Sequence, residues 1–181
     1  MNLYTTLRQV SRYEPCLGGL NALQEKVEDP DTELSVRRAL TEDPPLLVTH
    51  VVWGLRAAQV VGVDNRADVL PEFRAKVHAL IRAARTWVVR YLYRQDRDHW
   101  SNVPVKWEEN FAYEARMAGL DNSVDEWATL ASLLWRVTSQ FVFVAETLWG
   151  NGRPYFSEKP DAAYDKWLAA RLLRDFGDGH A

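Results

Sequence analysis

The stretch DNSVDEWATLASLLWRVTSQFVFVAETLWG, residues 121–150, decides the fold of this chain because it predicts a long helix with very little charge. Ser123 and Glu126 form the S-x-x-E pattern of a helical capping box at its start. Gly150 is suited to end the helix, because glycine readily adopts the left-handed conformation that follows many helices. The sequence therefore predicts a helix over residues 123–149.

The apolar residues of this predicted helix share one broad half of its circumference, since each residue turns about 100°. They are Trp127, Leu130, Ala131, Leu134, Val137, Phe141, Val142, Ala145, Leu148 and Trp149. Arg136 is the only charged residue between positions 127 and 145, and Phe143 places an aromatic side chain on the opposite half. We therefore expect neighbours on more than one side, with predicted helices 46–61, 71–95 and 161–176 packed against this one.

Composition places the chain among ordinary globular proteins. Its 181 residues fit one domain over 1–181, and 47% hydrophobic and 26% charged residues with a mean hydropathy of −0.33 argue against a disordered chain. The eight tryptophans suit both helical cores and the anchor positions of protein interfaces. A net charge of −3 and an isoelectric point of 5.8 argue against a nucleic-acid-binding protein, which usually carries a basic excess.

The N-terminal segment and the single cysteine both indicate the cytoplasm. Residues 1–15 contain no apolar run after a basic start, so no secretory signal is predicted. Cys16 alone forms no intramolecular disulfide and no cysteine-based metal site, which is typical of a reducing compartment. Arg136, Gln140 and Glu146 make a membrane position of the long helix costly.

Helical periodicity and turn signals predict further helices along the rest of the chain. The predicted segments are 2–13, 17–27, a short helix reaching Leu40, 46–61, 71–95, 108–118 and 161–176. The β-branched residues within 46–61 leave a strand as the alternative there. Because the lengths are unequal, we predict an all-α, single-domain irregular bundle of about six to eight helices around the central helix 123–149.

Two predicted loops carry the residue types that anchor protein interfaces. Tryptophan, tyrosine and arginine are common in such anchors, and loops on a rigid scaffold often carry binding sites. The residues are Arg97, His99, Trp100 and Trp107 in one connection, and Arg153, Tyr155 and Phe156 in the other. The alternative, of equal weight, is that these aromatic side chains fold back and cover the ends of the bundle.

A basic ridge is predicted on helix 71–95. Arg74, His78, Arg82 and Arg85 lie within about 80° of one another around the helix axis. Such a ridge suits contact with nucleic acid or with an acidic protein. Because the whole chain is acidic, we favour the alternative in which acidic residues of neighbouring helices balance this face.

The acidic residues Glu108, Glu109, Glu114 and Asp125 raise the alternative of a Mg²⁺-dependent all-α hydrolase, in which carboxylates converge on the cation. Glu109 and Glu114 are five residues apart and therefore diverge by about 140° on a helix. Much of this acidity also lies at predicted helix N-termini, where carboxylates complement the helix dipole. Both observations argue against a metal site.

Cysteine, histidine and glycine patterns give no sign of a catalytic centre. Cys16 has no histidine near it in the sequence, and we interpret His50 as a hydrogen-bonded histidine in or beside the core. Gly18 and Gly19 lack the flanking strand and the spacing of a phosphate-binding loop. We therefore predict no cofactor, no metal ligands and no catalytic residues.

One local pattern resembles a known type of module. It consists of Cys16-Leu-Gly-Gly19, Pro45-Leu-Leu47 and Val52-Trp-Gly-Leu-Arg-Ala57. With this pattern, residues 13–90 resemble a helical module of uncharacterised bacterial and prophage accessory proteins, although the Asn-Gly-Leu turn usual before the tryptophan is missing. The resemblance implies a phage or mobile-element accessory protein that binds another protein, and it implies no reaction.

The sequence thus favours a non-enzymatic, cytoplasmic protein-binding module, such as an inhibitor or immunity-type factor. Its expected partner is another protein, and no membrane partner is expected. The Mg²⁺-dependent hydrolase remains an alternative, as does nucleic-acid contact through Arg74, Arg82 and Arg85. Homo-oligomerisation is left open.

Overall fold

The computed structural model describes residues 1–95, 103–122, 124–149 and 160–177; within them, the side chains of 92–95, 103–107, 140–149 and 160–161 are left out. Its α-helices are α1 (Leu7–Val10), α2 (Leu17–Lys26), α3 (Val36–Thr41), α4 (Val48–Gly54), α5 (Leu70–Gln95), α6 (Val103–Asp121), α7 (Glu126–Trp149) and α8 (Pro160–Phe176). Its strands are β1 (Leu3–Thr5), β2 (Leu34–Ser35) and β3 (Gln59–Val60). The predicted all-α class is confirmed, with one small sheet added.

Helix α7 lies at the centre of the bundle, and α4, α5, α6 and α8 all contact it. The described residues of its predicted apolar half are buried: Trp127, Leu130, Ala131, Leu134 and Val137. Thr138 is buried within that half, and Ser132 is buried although it lies outside it. The expectation of neighbours on more than one side is therefore confirmed. Among the residues that the structure describes, no helix is long and apolar enough to cross a membrane.

The start of α7 differs from the prediction. The helix begins at Glu126, and Asp125 caps it by accepting a hydrogen bond at Oδ1 from the amide of Ala128, at 3.2 Å. Glu126 turns outward to α5, where its Oε1 accepts from Nε of Arg74 at 2.8 Å. The predicted capping box is therefore wrong, because the aspartate immediately before the helix supplies the cap. Residues 123 and 150 lie outside the described residues.

Residues 3–5 form a strand, so the predicted helix 2–13 is wrong over its first half. Strand β1 lies between β2 and β3 and pairs antiparallel with both. Tyr4 lies opposite Ser35 in one neighbour and Gln59 in the other. Pairing with such distant residues outweighs the local helical spacing, because strand formation depends strongly on tertiary context.

Two further predicted helices have different bounds. The predicted helix 46–61 divides into α4, a 3₁₀ turn over 55–57 and strand β3, because β1 offers its last residues a pairing edge. The predicted helix 108–118 begins earlier, at Val103, and Pro104 fits its first turn, where no backbone N–H is needed. The remaining long predictions, 17–27, 71–95 and 161–176, correspond to α2, α5 and α8.

Trp127 joins three elements in the middle of the core. Its ring stacks on Phe73 of α5 with centroids 3.6 Å apart, and its Nε1 donates a hydrogen bond to the carbonyl of Leu55 at 2.8 Å. Phe176 of α8 packs against the same Phe73 ring, with centroids 5.9 Å apart. This cluster fixes α5 and α8 on the central helix and thereby positions the groove between them.

Candidate functional site

An open groove lies between α5 and α8. Helix α5 contributes two adjoining columns, because residues four apart on a helix are separated by only about 40° around its axis. The groove is lined by Arg82, Thr86 and Arg90 in one column, Ala83, Trp87 and Tyr91 in the other, and Trp167 and Arg171 from α8. Its volume is about 450 Å³, within the range of known ligand pockets.

Stacked aromatic rings form one wall of the groove. Trp87 and Tyr91 are nearly parallel, with ring centroids 4.7 Å apart, and Trp167 lies 5.9 Å from Trp87. These three side chains are half-buried. Behind them, Tyr164 is fully buried with its ring centroid 5.3 Å from that of Trp87. Burial raises the pKa of Tyr164, so this support stays uncharged.

The rim of the groove is positively charged. Arg171 forms an ion pair with Asp175 one turn along α8, with Nε to Oδ2 at 2.7 Å. Arg82 and Arg90 are exposed, and neither forms an ion pair with any side chain that the structure describes. Two guanidinium groups beside an aromatic wall form a site for a ligand that carries both negative charge and a flat apolar group.

The predicted recognition loops cannot be compared with this groove residue by residue. Six of their residues, Arg97, His99, Trp100, Arg153, Tyr155 and Phe156, lie outside the described residues. Trp107 lies in α6 by its backbone, so its prediction as a loop residue is wrong. In the chain, one loop follows the end of α5 and the other precedes α8, which are the two helices that form the groove.

The three arginines of the predicted basic ridge have different surroundings. Arg74 pairs with Glu126, as described above, and Nε of Arg85 lies 2.7 Å from Oε1 of Glu108 on α6. Only Arg82 is left without a carboxylate partner among the described residues. The ridge is thus partly balanced by acidic neighbours, and its unpaired member lines the groove.

Three of the four acidic residues considered for a metal site lie beside separate arginines. Glu108 pairs with Arg85, and the buried Glu114 lies 3.2 Å from the guanidinium of Arg136. Asp125 caps α7 and lies 3.7 Å from Arg66, whereas Glu109 is exposed on α6. Within the described ranges, no three Asp, Glu, His or Cys side chains are arranged to share a metal ion.

The groove was not predicted because its aromatic residues have the spacing of core residues. Trp87 and Tyr91 lie four residues apart within the predicted helix 71–95, and Trp167 and Leu168 lie at helical spacing with Tyr164 in the predicted helix 161–176. A signal was present in the four-residue spacing of Trp87 and Tyr91 beside Arg82 and Arg90. The approach of α8, which converts this stripe into a groove, depends on tertiary packing and has no local signature.

Comparisons with known proteins identify no relative of this chain. No protein-family model matches the chain, and no curated protein or solved structure is significantly similar to it. The groove geometry is therefore the main support for a functional proposal.

Proposed function

We propose that this protein is a non-enzymatic binding protein whose α5–α8 groove holds an acidic segment of another protein. The observation that carries the proposal is the position of Arg82 and Arg90, which have no carboxylate partner among the described side chains, beside the stacked rings of Trp87 and Tyr91. Arginine and aromatic side chains contribute most to binding energy at protein interfaces. Because the groove is open and half of its lining is charged or polar, a peptide segment suits it better than a wholly apolar ligand.

The spacing of the arginines suggests what the partner segment carries. Arg82 and Arg90 are two turns apart, which separates their backbones by about 12 Å along α5. Two residues four apart in an extended chain span about 13 Å, so two carboxylates at that spacing can each meet one arginine. The side chain between them would lie near Trp87, where an aromatic or other flat apolar group stacks well.

The proposed biological setting is the cytoplasm, where the protein would act as an inhibitor or immunity-type factor. The single cysteine, Cys16, which is free and exposed, supports the cytoplasm. The resemblance of residues 13–90 to modules of prophage accessory proteins supports a phage or mobile-element role. In such a role, occupying a surface of a host or phage protein is sufficient for activity.

Affinity capture with groove variants tests this proposal. The wild type, the double variant Arg82→Glu/Arg90→Glu and the control Arg12→Glu/Arg116→Glu would be used to capture proteins from a host lysate. The control changes the net charge equally at two arginines that are exposed outside the groove. We expect a stoichiometric partner that is captured by the wild type and the control and is lost with the groove variant.

The captured partner would then be purified and titrated against all three proteins by calorimetry. A weakening of at least about tenfold for the groove variant supports the proposal, since hot-spot truncations cost more than about 1 kcal/mol each. Equal affinity for all three proteins would exclude the groove as the binding site. Self-association of the wild type that the groove variant abolishes would identify a second copy of the chain as the occupant.

A further inference from the structure

A cysteine and a histidine that are distant in the sequence come together beside a second cavity. Sγ of Cys16, immediately before α2, lies 3.9 Å from Nε2 of His50 on α4. Gly19 permits this approach, because a Cβ there would lie 3.3 Å from Sγ and 3.4 Å from the His50 ring. The fold thus brings a histidine to Cys16 that the sequence does not place near it.

His50 has the properties of a proton acceptor for the thiol. Its Nδ1 is buried and makes no hydrogen bond within the described residues, so the hydrogen bonding expected of His50 is found only at Nε2, which faces Sγ. Burial lowers the pKa of His50, which keeps the ring neutral near pH 7. A neutral imidazole whose Nε2 faces a thiol can accept its proton.

The adjoining cavity is small and almost entirely apolar. Cys16 and His50 line it together with side chains of the sheet and of α1–α4, among them Leu23, Val51 and Trp53. Its volume is about 70 Å³, roughly half that of the cavity of about 150 Å³ that holds benzene in another protein. It therefore has room for about three carbon atoms beyond the thiol.

The first turn of α2 supplies donors for an oxygen next to Sγ. Cys16 caps the ten-residue helix α2, and its Sγ accepts from the amide of Gly19 at 3.3 Å. The amides of Leu17 and Gly18 come earlier in the turn and make no hydrogen bond within the described part of the chain. Such amides stabilise the negative oxygen that forms when a thiol attacks a carbonyl group.

We infer that Cys16 is an acyl-acceptor site for a short-chain acyl thioester. His50 Nε2 takes the thiol proton while Sγ forms a bond to the thioester carbonyl carbon, and the carbonyl oxygen turns to the Leu17 and Gly18 amides. The carbon–sulfur bond of the donor then breaks, and its thiolate leaves with the proton from His50. The products are an acyl thioester on Cys16 and the free donor thiol, with the acyl chain in the apolar cavity.

Butyryl-coenzyme A is the probe that tests this inference, with intact-mass spectrometry of the purified protein as the readout. We expect one butyryl group per chain, located on Cys16 by peptide mapping and absent from Cys16→Ala. His50→Gln should slow the reaction at least about tenfold, because general bases typically contribute a hundredfold or more. Circular dichroism of His50→Gln checks that it is folded.

Two comparisons on the unmodified chain keep the inference testable if the variant does not fold. The native protein should react at least about tenfold faster than the same chain unfolded in urea, because the unfolded chain does not hold His50 and the cavity beside the thiol. Butyryl-coenzyme A should also react faster than hexadecanoyl-coenzyme A, whose chain is too long for the cavity. A native rate no higher than the rate in urea, or no preference for the short chain, would overturn the inference.

Discussion

Replacing Trp127 by phenylalanine should destabilise the fold through one buried hydrogen bond and a small loss of packing. The Trp127 indole donates to the Leu55 carbonyl at 2.8 Å, and the side chain is only 2% exposed. Leaving that carbonyl without a donor costs about 1–3 kcal/mol. Loss of the second indole ring removes buried area worth about 1 kcal/mol, so the free energy of unfolding should decrease by about 2–4 kcal/mol.

Trp135→Phe is the matched control for this prediction. Trp135 lies on the same helix and is half-buried. Like Trp127, it has a guanidinium group near its ring: the distance to the ring centroid is 5.6 Å for Trp135 and 5.4 Å for Trp127. Its indole makes no hydrogen bond within the described residues. Urea unfolding followed by circular dichroism gives both free energies. If Trp127→Phe destabilises the protein no more than Trp135→Phe, the central hydrogen bond does not contribute as argued.

The remaining predictions concern charged side chains. Because burial lowers the pKa of His50, the unfolded chain binds a proton near pH 6.5 that the folded chain binds only at lower pH. As the pH is lowered from about 6.5, the free energy of unfolding should therefore decrease, and it should decrease less in His50→Gln than in the wild type. An equal pH dependence of the two proteins in urea titrations would contradict this. Glu114→Gln should lower the free energy of unfolding by about 1–3 kcal/mol, because it removes one of the two carboxylates that pair with the part-buried Arg136. Arg74→Ala breaks only an exposed pair with Glu126 and should cost below about 1 kcal/mol in the same assay; a larger loss than for Glu114→Gln would contradict the burial argument.

The long helices were predictable because their signals are local and repeated. In α5 and α7, apolar residues recur at helical spacing over more than five turns, and the scarcity of charge in α7 also predicted its central position. The small sheet was not predictable in this way. Its strands have only two or three residues each, and β1 is a strand because residues far along the chain pair with it.

The candidate sites depend even more on tertiary packing. The sequence identified the arginines of helix 71–95, but only the fold distinguishes the paired Arg74 and Arg85 from Arg82. The proximity of Cys16 and His50 arises because the start of α2 lies against His50 of α4, and 33 residues separate the two side chains in the sequence. Residue types thus predicted the chemistry available, whereas the fold determined which side chains lie together.

Selection of a random-peptide library on the immobilised protein tests most directly whether the α5–α8 groove is a binding site for acidic segments. We expect enrichment of peptides with two acidic residues about four positions apart and an aromatic residue between them. Binding of these peptides should be lost with Arg82→Glu/Arg90→Glu and kept with Arg12→Glu/Arg116→Glu. Enrichment of peptides without acidic residues, or of acidic peptides that bind the groove variant equally well, would contradict binding of acidic segments in this groove.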